Sequence, residues 1–172
     1  MSCTWRGSAS APAIWSDRLC PQSMERILRR KLKNGRFLNV PPERSHLMGR
    51  VRSKGNVSTE RSFRLALVRA RIRGWVLHPK NVFGTPDFYF PRERVAVFVD
   101  GCFWHGCKRC GHIPRTRSAF WRTKFERNRT RSMLVRTTLE RAGVRALRFW
   151  EHEVKYNVDN VVVTLQQLLR LR

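Results

Sequence analysis

Three cysteines lie within nine residues of one another, directly after an apolar run. Cys102, Cys107 and Cys110 follow the apolar segment Val-Ala-Val-Phe-Val at 95–99. Such a run predicts a strand that is buried on both faces of a sheet. Clustered cysteines in a reducing compartment indicate metal binding rather than disulfide bonds. The chain is therefore expected to fold around a central strand that leads into a metal-binding loop.

The metal-binding loop leaves two questions open. Structural zinc takes four ligands in a tetrahedral arrangement, and the fourth ligand is either His112, close in sequence, or His152, which follows a second predicted strand. Three buried thiols without a metal are the simpler alternative. His105 lies between the first two cysteines, and its near-neutral pKa suits a general base or a water-holding group. It is equally compatible with a surface histidine or a zinc ligand.

Aromatic side chains accompany these ligands. Phe103 and Trp104 are adjacent in the cysteine loop, and Trp121 follows on a predicted long helix. Aromatic rings on a loop can stack on nucleic-acid bases or wedge between them. Packing in the core is the competing interpretation.

Two aspartates lie at the ends of a predicted β-hairpin. Asp87 opens one strand and Asp100 ends the next, so the hairpin brings the two strand regions side by side. Oxygen ligands held close together bind Mg²⁺, and Mg²⁺ can polarise a phosphodiester and activate water. The alternative is that Asp87 starts a turn and Asp100 caps the following loop.

The charge of the chain predicts a polyanionic partner. Its 172 residues carry 36 Lys and Arg against 12 Asp and Glu, a formal net charge of +24, and such an excess is typical of nucleic-acid binding. Lys124, Asn128 and Arg131 share one face of the long helix, and Asn128 can read base edges. This helix and the segment before it are strongly basic: Arg115, Arg117, Arg122, Lys124, Arg127, Arg129, Arg131, Arg136 and Arg141.

The pattern along the chain predicts an α/β domain. A helix opens at residues 58–60 and is stopped by Gly74. Strands follow at 75–78, 87–90 and 95–99, then a helix at about 118–142, a strand at 144–150 and a helix at 159–171. This order gives a mixed sheet flanked by helices. Residues 1–42 are expected to form a poorly ordered extension and residues 43–172 the folded domain. The absence of a long apolar run and of a signal sequence predicts a cytoplasmic protein without a membrane segment.

Together these motifs resemble the very-short-patch-repair (Vsr) endonucleases, bacterial enzymes that nick DNA beside a T:G mismatch. The resemblance covers about two-thirds of the chain, roughly residues 44–154, and none of the first 40 residues. Its most specific part is Asp-Gly-Cys-Phe-Trp-His-Gly-Cys at 100–107. The other matching stretches are Arg-Ser-His-Leu-Met at 44–48, Arg-Ser-Lys-Gly at 52–55 leading to Thr-Glu at 59–60, Gly-Thr-Pro-Asp-Phe at 84–88, Arg-Ser-Ala-Phe-Trp at 117–121 and Arg-Phe-Trp-Glu-His-Glu at 148–153.

The resemblance implies a restriction-endonuclease-like, three-layer α/β/α fold with a central mixed sheet and a structural zinc site. Asp87 would bind the catalytic Mg²⁺, helped by the backbone carbonyl of Val99. His105 would activate water, and Glu60 would lie near the metal-bound waters. Asp100 is a further catalytic candidate, ranked below Asp87.

The resemblance also implies the remaining sites. The four zinc ligands would be Cys102, Cys107, Cys110 and His152, which favours His152 over His112. Residues that wedge into the DNA or contact the mismatched pair would be Met48, Phe103, Trp104, Trp121, Lys124 and Asn128. One departure concerns Ser132, which stands where the family usually has an acid that supports the catalytic histidine. A serine hydroxyl can hydrogen-bond an imidazole but carries no charge to stabilise its cation.

The expected function is a Mg²⁺-dependent DNA endonuclease that nicks one strand next to a T:G mismatch, with Zn²⁺ as a structural ion. The alternatives are a site-specific nickase or restriction-type enzyme on the same fold, and a non-catalytic, zinc-stabilised nucleic-acid-binding protein. The partner is double-stranded DNA, and the resemblance also suggests a mismatch-repair protein partner and a functional association with a DNA cytosine methyltransferase. A bacterial cytoplasmic, nucleoid-associated location follows.

Overall fold

A computed structural model describes Glu43 and residues 57–170 of the chain. The proposed extension at 1–42 and the expected DNA contact Met48 lie outside the described residues. In chain order, the elements are α1 (Val57–Arg69), β1 (Val76–Leu77), β2 (Phe88–Phe90), β3 (Val95–Asp100), α2 (Ser118–Arg141), β4 (Arg145–Trp150), α3 (Glu151–Tyr156) and α4 (Val158–Arg170).

The chain divides into two compact units. One comprises Met1–Val51 with Ile113–Met133, and the other comprises Arg52–His112 with Leu134–Arg172. The described part of the first unit is therefore Glu43, the segment at 113–117 that leads into α2, and the first two-thirds of that helix. The second unit contains the sheet, and both expected metal sites belong to it.

Four strands form a mixed sheet in the order β1-β2-β3-β4. The first two pairings are antiparallel, which confirms the hairpin between β2 and β3. The third is parallel and aligns Val95 with Arg145 and Asp100 with Trp150. Parallel strands need a long crossover connection, and the segment that contains α2 supplies it. The predicted mixed α/β architecture is confirmed.

Side chains of β3 alternate between two hydrophobic clusters, as the two-residue period of a strand requires. Val95 and Val97 join the first cluster, which contains residues of α1, α3 and α4. Ala96 and Phe98 join the second, which contains residues of the carboxyl-terminal part of α2. The sheet is thus covered on both faces, and β3 is buried as its apolar sequence predicts.

The first cluster is built around aromatic rings. Phe63 on α1 is fully buried and packs edge to face against Phe88, with ring centroids 5.1 Å apart, and against Phe149 at 6.1 Å. Edge-to-face pairs add to the free energy of burial because the positive ring edge meets the negative ring face. This packing holds α1, and with it Glu60, against the amino end of β2 and the carboxyl end of β4.

Gly143 ends α2 as its position predicts. Its φ is +70°, and the backbone N–H groups of Gly143 and Val144 donate to the carbonyls of Glu140 and Leu139. This pair of bonds is a Schellman motif, in which the left-handed residue is almost always glycine. The motif turns the chain directly into β4.

Several boundaries differ from the sequence-based expectation. α1 ends at Arg69 rather than at Gly74, β1 has two residues instead of four, and the short helix α3 was not predicted. Met133, whose apolar side chain predicts a place on the buried face of α2, is 63% exposed, while Val135 is buried in the second cluster instead. Within the described residues, no helix combines the length and the apolar character needed to cross a membrane.

Candidate active site and metal sites

His152 meets the three cysteines at the carboxyl ends of β3 and β4. Its Nδ1 atom lies 3.2 Å from the Sγ of Cys102, 3.7 Å from that of Cys107 and 3.5 Å from that of Cys110. The four ligand atoms all lie within 4.8 Å of one another. This group can hold a metal ion. It contains His152 and not His112, whose ring instead packs against Phe103 at a centroid distance of 6.0 Å.

Consecutive tight turns shape the cysteine loop. The N–H of Cys107 donates to the carbonyl of Cys102 at 2.9 Å, and the N–H of Gly111 donates to that of Cys107 at 2.8 Å. A Cβ atom at Gly111 would lie 2.5 Å from the Cys107 carbonyl oxygen and 2.7 Å from its nitrogen. Those contacts are with backbone atoms that cannot move aside, so the loop requires glycine here. Glu151 anchors the start of the loop by accepting a hydrogen bond from the N–H of Cys102 at 3.2 Å.

The thiols in this loop differ in acidity. Burial, together with a hydrogen bond to Cys110, raises the pKa of the Cys102 thiol to about 12. Burial acts in the same direction at Cys107, but hydrogen bonds from the backbone N–H groups of Cys110 and Arg109 outweigh it and lower the pKa of that thiol. Metal binding requires thiolates, so an ion that binds here displaces protons.

A second group of ligand-type side chains forms beside the start of β2. Glu60, His78 and Asp87 present carboxylate and imidazole atoms that all lie within 4.8 Å of one another. His78 Nε2 lies 2.9 Å from Glu60 Oε1. The backbone N–H of His78 donates to the Asp87 carbonyl at 3.3 Å, which ties the histidine to the same strand end as the aspartate.

Asp87 is held against β3. Its Oδ2 accepts a hydrogen bond from the N–H of Val99 at 2.7 Å. Its backbone N–H donates to the Val97 carbonyl at 3.0 Å. Burial raises the pKa of the Asp87 carboxyl above its ordinary value of 3.8, although the bond from Val99 and the proximity of His78 oppose that shift. A desolvated carboxylate of this kind is readily stabilised by a cation.

Asp100 lies outside this group, at the end of β3. Its two carboxylate oxygens accept hydrogen bonds from Arg148 at 2.5 and 2.7 Å, and its Oδ1 lies 3.7 Å from Nε2 of His105. The Arg148 guanidinium also lies 4.9 Å from the centre of the Phe98 ring. Asp100 is therefore positioned beside the catalytic candidate His105, and its predicted catalytic role remains a prediction.

The aromatic pair of the loop forms a compact unit. The rings of Phe103 and Trp104 are 5.2 Å apart and nearly perpendicular, and both side chains are half-buried. The Cβ position of Gly101 lies 3.2 Å from Trp104 Cδ1, so the indole lies over the loop backbone. Both rings keep part of their surface exposed.

The first two-thirds of α2 carry the remaining candidates. Trp121 packs against Phe120 and Phe125 at centroid distances of 5.4 and 6.1 Å. Lys124 and Asn128 are half-buried. Ser132 Oγ donates to the Asn128 carbonyl at 2.9 Å, a bond within the helix that serines commonly make.

Comparison with known proteins identifies the family. A family profile described as DNA mismatch endonuclease Vsr matches residues 38–112. Type II nicking enzyme V.XorIIP of Xanthomonas oryzae pv. oryzae is 40% identical over 116 residues, which cover 66% of this chain and 83% of that relative. The chain belongs to the Vsr family.

Two further relatives agree with this assignment to the Vsr family. Type II nicking enzyme V.NmeDIP of Neisseria meningitidis serogroup C is 38% identical over 137 residues, which cover 76% of this chain and 88% of the relative. DNA mismatch endonuclease Vsr of Escherichia coli (strain K12) is 37% identical over 70 residues, which cover 40% of this chain and 44% of the relative. The predicted family and enzyme class, a DNA endonuclease with DNA as its substrate, are confirmed.

Sequence reasoning missed four residues of this Vsr-family site. Gly111 had one available signal, its position directly after the last cysteine. Glu151 and Arg148 carried no local signal, because their partners Cys102 and Asp100 are 49 and 48 residues away. His78 was placed on a strand without a role, and only its contact with Glu60, 18 residues earlier, reveals it.

Proposed function

We propose that this Vsr-family protein is a Mg²⁺-dependent endonuclease that nicks one DNA strand next to a T:G mismatch. The observation that carries the proposal is that β3 connects the two ligand groups. Asp87 is bonded to Val99 near the end of this strand, and Cys102 begins the metal-binding loop three residues later. His105, in that loop, is thereby kept close to the strand end beside the second ligand group, which consists of Glu60, His78 and Asp87 and is called the acidic group below.

The acidic group fits a hard divalent cation. Asp87 and Glu60 offer carboxylate oxygens, which Mg²⁺ prefers. In an extended strand the N–H and the C=O of one residue project from the same edge. Because the Val99 N–H bonds to Asp87, we expect the Val99 carbonyl to face the same side. Mg²⁺ held by Asp87 and this carbonyl would polarise the phosphodiester, while Glu60 would orient water and His105 would accept its proton.

The cysteine group fits zinc. Zinc–sulfur and zinc–nitrogen bonds of about 2.3 and 2.05 Å at tetrahedral angles place sulfur and nitrogen about 3.6 Å apart. The separations of 3.2, 3.7 and 3.5 Å between His152 Nδ1 and the three sulfurs surround that value. Zinc would hold the cysteine loop against the ends of β3 and β4. Its role is structural, since all four positions are taken by protein ligands.

Charge and exposed rings support DNA as the partner. The chain carries a net charge of +24, and phosphate neutralisation by such a surface drives DNA binding. Phe103 and Trp104 retain exposed ring surface on the loop and are suited to wedge between bases. Trp121 and Met48 are proposed as further wedge residues, and Lys124 with Asn128 as contacts to the mismatched pair.

The remaining proposals follow from the family resemblance. The fold is of the restriction-endonuclease type, with residues 43–172 as the catalytic domain and residues 1–42 as an extension. The enzyme acts in the bacterial cytoplasm on nucleoid DNA. A mismatch-repair protein is a proposed partner, and a cytosine methyltransferase a functional associate.

A site-specific nickase is the second candidate function. Several relatives carry the name type II nicking enzyme, among them V.XorIIP and V.NmeDIP. Both functions need the same Mg²⁺ site and the same strand specificity. They differ in whether a mispaired base is required for cutting.

A non-catalytic DNA-binding protein is the third candidate. Ser132 stands at the position where the family usually has an acid, and its hydroxyl is bonded within α2. Against this candidate, Asp100 offers a carboxylate 3.7 Å from His105, which can replace the acid that Ser132 lacks. Catalysis therefore retains an acid beside the proposed base.

A nicking assay on a duplex panel separates the three functions. Each duplex carries one dye on each strand and either a matched pair or one of the mismatches, and the zinc-loaded protein is added with Mg²⁺ or with Ca²⁺. We expect cutting of one strand, only with Mg²⁺ and only for the T:G duplexes. Equal cutting of matched and mismatched duplexes that share one sequence would support the site-specific nickase. Binding without cutting of any duplex would support the third candidate.

Two variants connect the activity to the site. Asp87→Ala is expected to abolish nicking while the affinity for DNA stays within about threefold, because phosphate contacts dominate that affinity. Asp159→Ala, which changes an exposed aspartate of α4, is the control and is expected to nick at the wild-type rate. Nicking by Asp87→Ala at the wild-type rate would contradict the proposed metal site.

A further inference from the structure

His78 is the member of the acidic group that neither the sequence nor the family resemblance assigned. Its side chain is 45% exposed and that of Glu60 is 21% exposed, so both are accessible to an ion from solvent. Imidazole is a common ligand of transition metals but a poor one for Mg²⁺, which prefers oxygen. A histidine in this position therefore bears on which cation the site selects.

The backbone holds His78 in an unusual conformation. Its φ is +43°, a left-handed value that is uncommon for residues other than glycine, although histidine, like asparagine and aspartate, adopts it more often than most. The hydrogen bond from its N–H to the Asp87 carbonyl, at 3.3 Å, fixes the residue there. Such a conformation persists only where the surroundings impose it. The side chain is thus directed to Glu60 by the fold.

The distances match those between neighbouring ligands of a single ion. Two ligands at right angles, each about 2.1 Å from an octahedral ion, are about 3.0 Å apart. His78 Nε2 and Glu60 Oε1 are separated by 2.9 Å. The whole group, including Asp87, spans no more than 4.8 Å, against about 4.2 Å for opposite ligands of such an ion. Small side-chain movements suffice to bring all three onto one ion.

We infer that His78 is a direct nitrogen ligand of the divalent cation at Glu60 and Asp87, and that it makes this site select Mn²⁺ over Mg²⁺. The inference rests on the proposed function, since it concerns the same cation site. The alternative role for His78 is to orient Glu60 by the 2.9 Å hydrogen bond without touching the ion. The two roles differ in a measurable way, because loss of an orienting group weakens the binding of both ions alike.

The test measures Mn²⁺ and Mg²⁺ affinities of the zinc-loaded, desalted protein in the absence of DNA. Free Mn²⁺ is followed by electron paramagnetic resonance, and Mg²⁺ by competition. The decisive variant is His78→Gln, whose amide can still donate to Glu60 and can offer oxygen to Mg²⁺. His112→Gln is the matched control, because His112 is exposed and is not a member of either ligand group.

We expect the wild type to bind Mn²⁺ at least about tenfold more tightly than Mg²⁺. His78→Gln is expected to lose at least about tenfold in Mn²⁺ affinity and to change its Mg²⁺ affinity by less than about threefold. Pulsed resonance spectra of bound Mn²⁺ should show a coordinated nitrogen in the wild type and in His112→Gln, and none in His78→Gln.

Equal losses for the two ions, or a nitrogen signal that survives in His78→Gln, would overturn the inference. An Asp87→Asn variant distinguishes this failure from failure of the proposed function. If Asp87→Asn weakens the binding of both ions while His78→Gln leaves their ratio unchanged, only the role of His78 is wrong. If Asp87→Asn also binds both ions like the wild type, the proposed catalytic metal site is itself wrong.

Discussion

Gly84 and Gly74 have the same backbone φ of +83°, but they differ in what surrounds them. A Cβ atom at Gly84 would lie 2.4 Å from Val135 Cγ1 and 3.0 Å from Val135 Cγ2, whereas one at Gly74 would meet nothing within 4 Å. Alanine substitutions at the two positions therefore separate the cost of the left-handed backbone from the cost of a steric clash. The comparison also tests the packing of α2 against the turn that leads to Asp87.

The expected magnitudes follow from these two terms. A left-handed backbone costs a residue with a Cβ about 1–2 kcal/mol, and the reduced entropy of the unfolded chain offsets about 0.4–1 kcal/mol of that. Gly74→Ala should thus lower the free energy of unfolding by about 1 kcal/mol. Gly84→Ala adds about 1–3 kcal/mol of overpacking, because Val135 is 6% exposed and lies in the second hydrophobic cluster.

Urea unfolding of the zinc-loaded proteins, followed by circular dichroism, measures both changes. A double-mutant cycle with Val135→Ala isolates the clash, since removal of the two Cγ atoms leaves only the contact with Cβ at 3.3 Å. Val135→Ala is destabilising by itself because it leaves a cavity. In the Gly84→Ala background it should cost at least about 1 kcal/mol less than in the wild type, owing to the relief of overpacking.

Two results would refute this reasoning. Equal destabilisation by Gly74→Ala and Gly84→Ala would show that Val135 does not confine the turn. Strict additivity of Gly84→Ala and Val135→Ala would show that the two residues do not contact each other in solution. Either result would place the carboxyl-terminal part of α2 further from the turn than the structure does.

Three further predictions concern buried charge and metal. Arg148→Met leaves the buried Asp100 carboxylate without its guanidinium partner and should destabilise the protein by about 3 kcal/mol in urea unfolding. Arg136→Met, which breaks an exposed pair within α2, is the control and should change stability by less than about 0.5 kcal/mol; similar losses for the two variants would contradict the buried pair. Because burial raises the folded-state pKa of Asp87 above 3.8, the folded state binds more protons there, and stability contributed by this group falls as pH rises from 3.8 through the raised value. In unfolding without Mg²⁺, Asp87→Asn should therefore gain stability relative to wild type as pH is raised through that window, and a constant difference would count against it. His152→Ala should lose bound zinc in metal analysis and unfold at lower urea concentration, and unchanged zinc content would exclude His152 as a ligand.

Local patterns in the sequence were sufficient for the elements that carry the site. The apolar run at 95–99, with turn residues on both sides, predicts β3 and the hairpin with β2, and both are observed. Gly143 predicts the end of α2 for the same reason, since its left-handed conformation is a property of the residue itself. A buried strand, a tight turn and a helix end are determined mainly by residues that are close in sequence, so a local sequence pattern is enough to predict them.

Boundaries set by packing were less predictable. Met133 has the polarity of a core residue, but it lies on the exposed side of α2, whereas Val135, two residues further on, packs under Gly84. The rotation of a helix about its axis depends on the surface that it covers. The sequence of α2 is rich in arginine and alternates too weakly to specify that rotation.

The sequence by itself determined that this chain has a central buried strand, a cysteine loop with metal-ligand spacing and a surface suited to DNA. The residues alone left the choice between His112 and His152 open, the family resemblance favoured His152, and the tertiary structure shows how His152 reaches the cysteines and adds His78 to the second group. His152 reaches Cys102, 50 residues away, because the parallel register aligns Asp100 with Trp150, and His78 reaches Glu60 because α1 packs against the strands by way of Phe63. The physical reason is that the register between distant strands and the position of a helix on the sheet depend on the burial of the entire apolar face of each element. A single residue contributes only a small part of that burial.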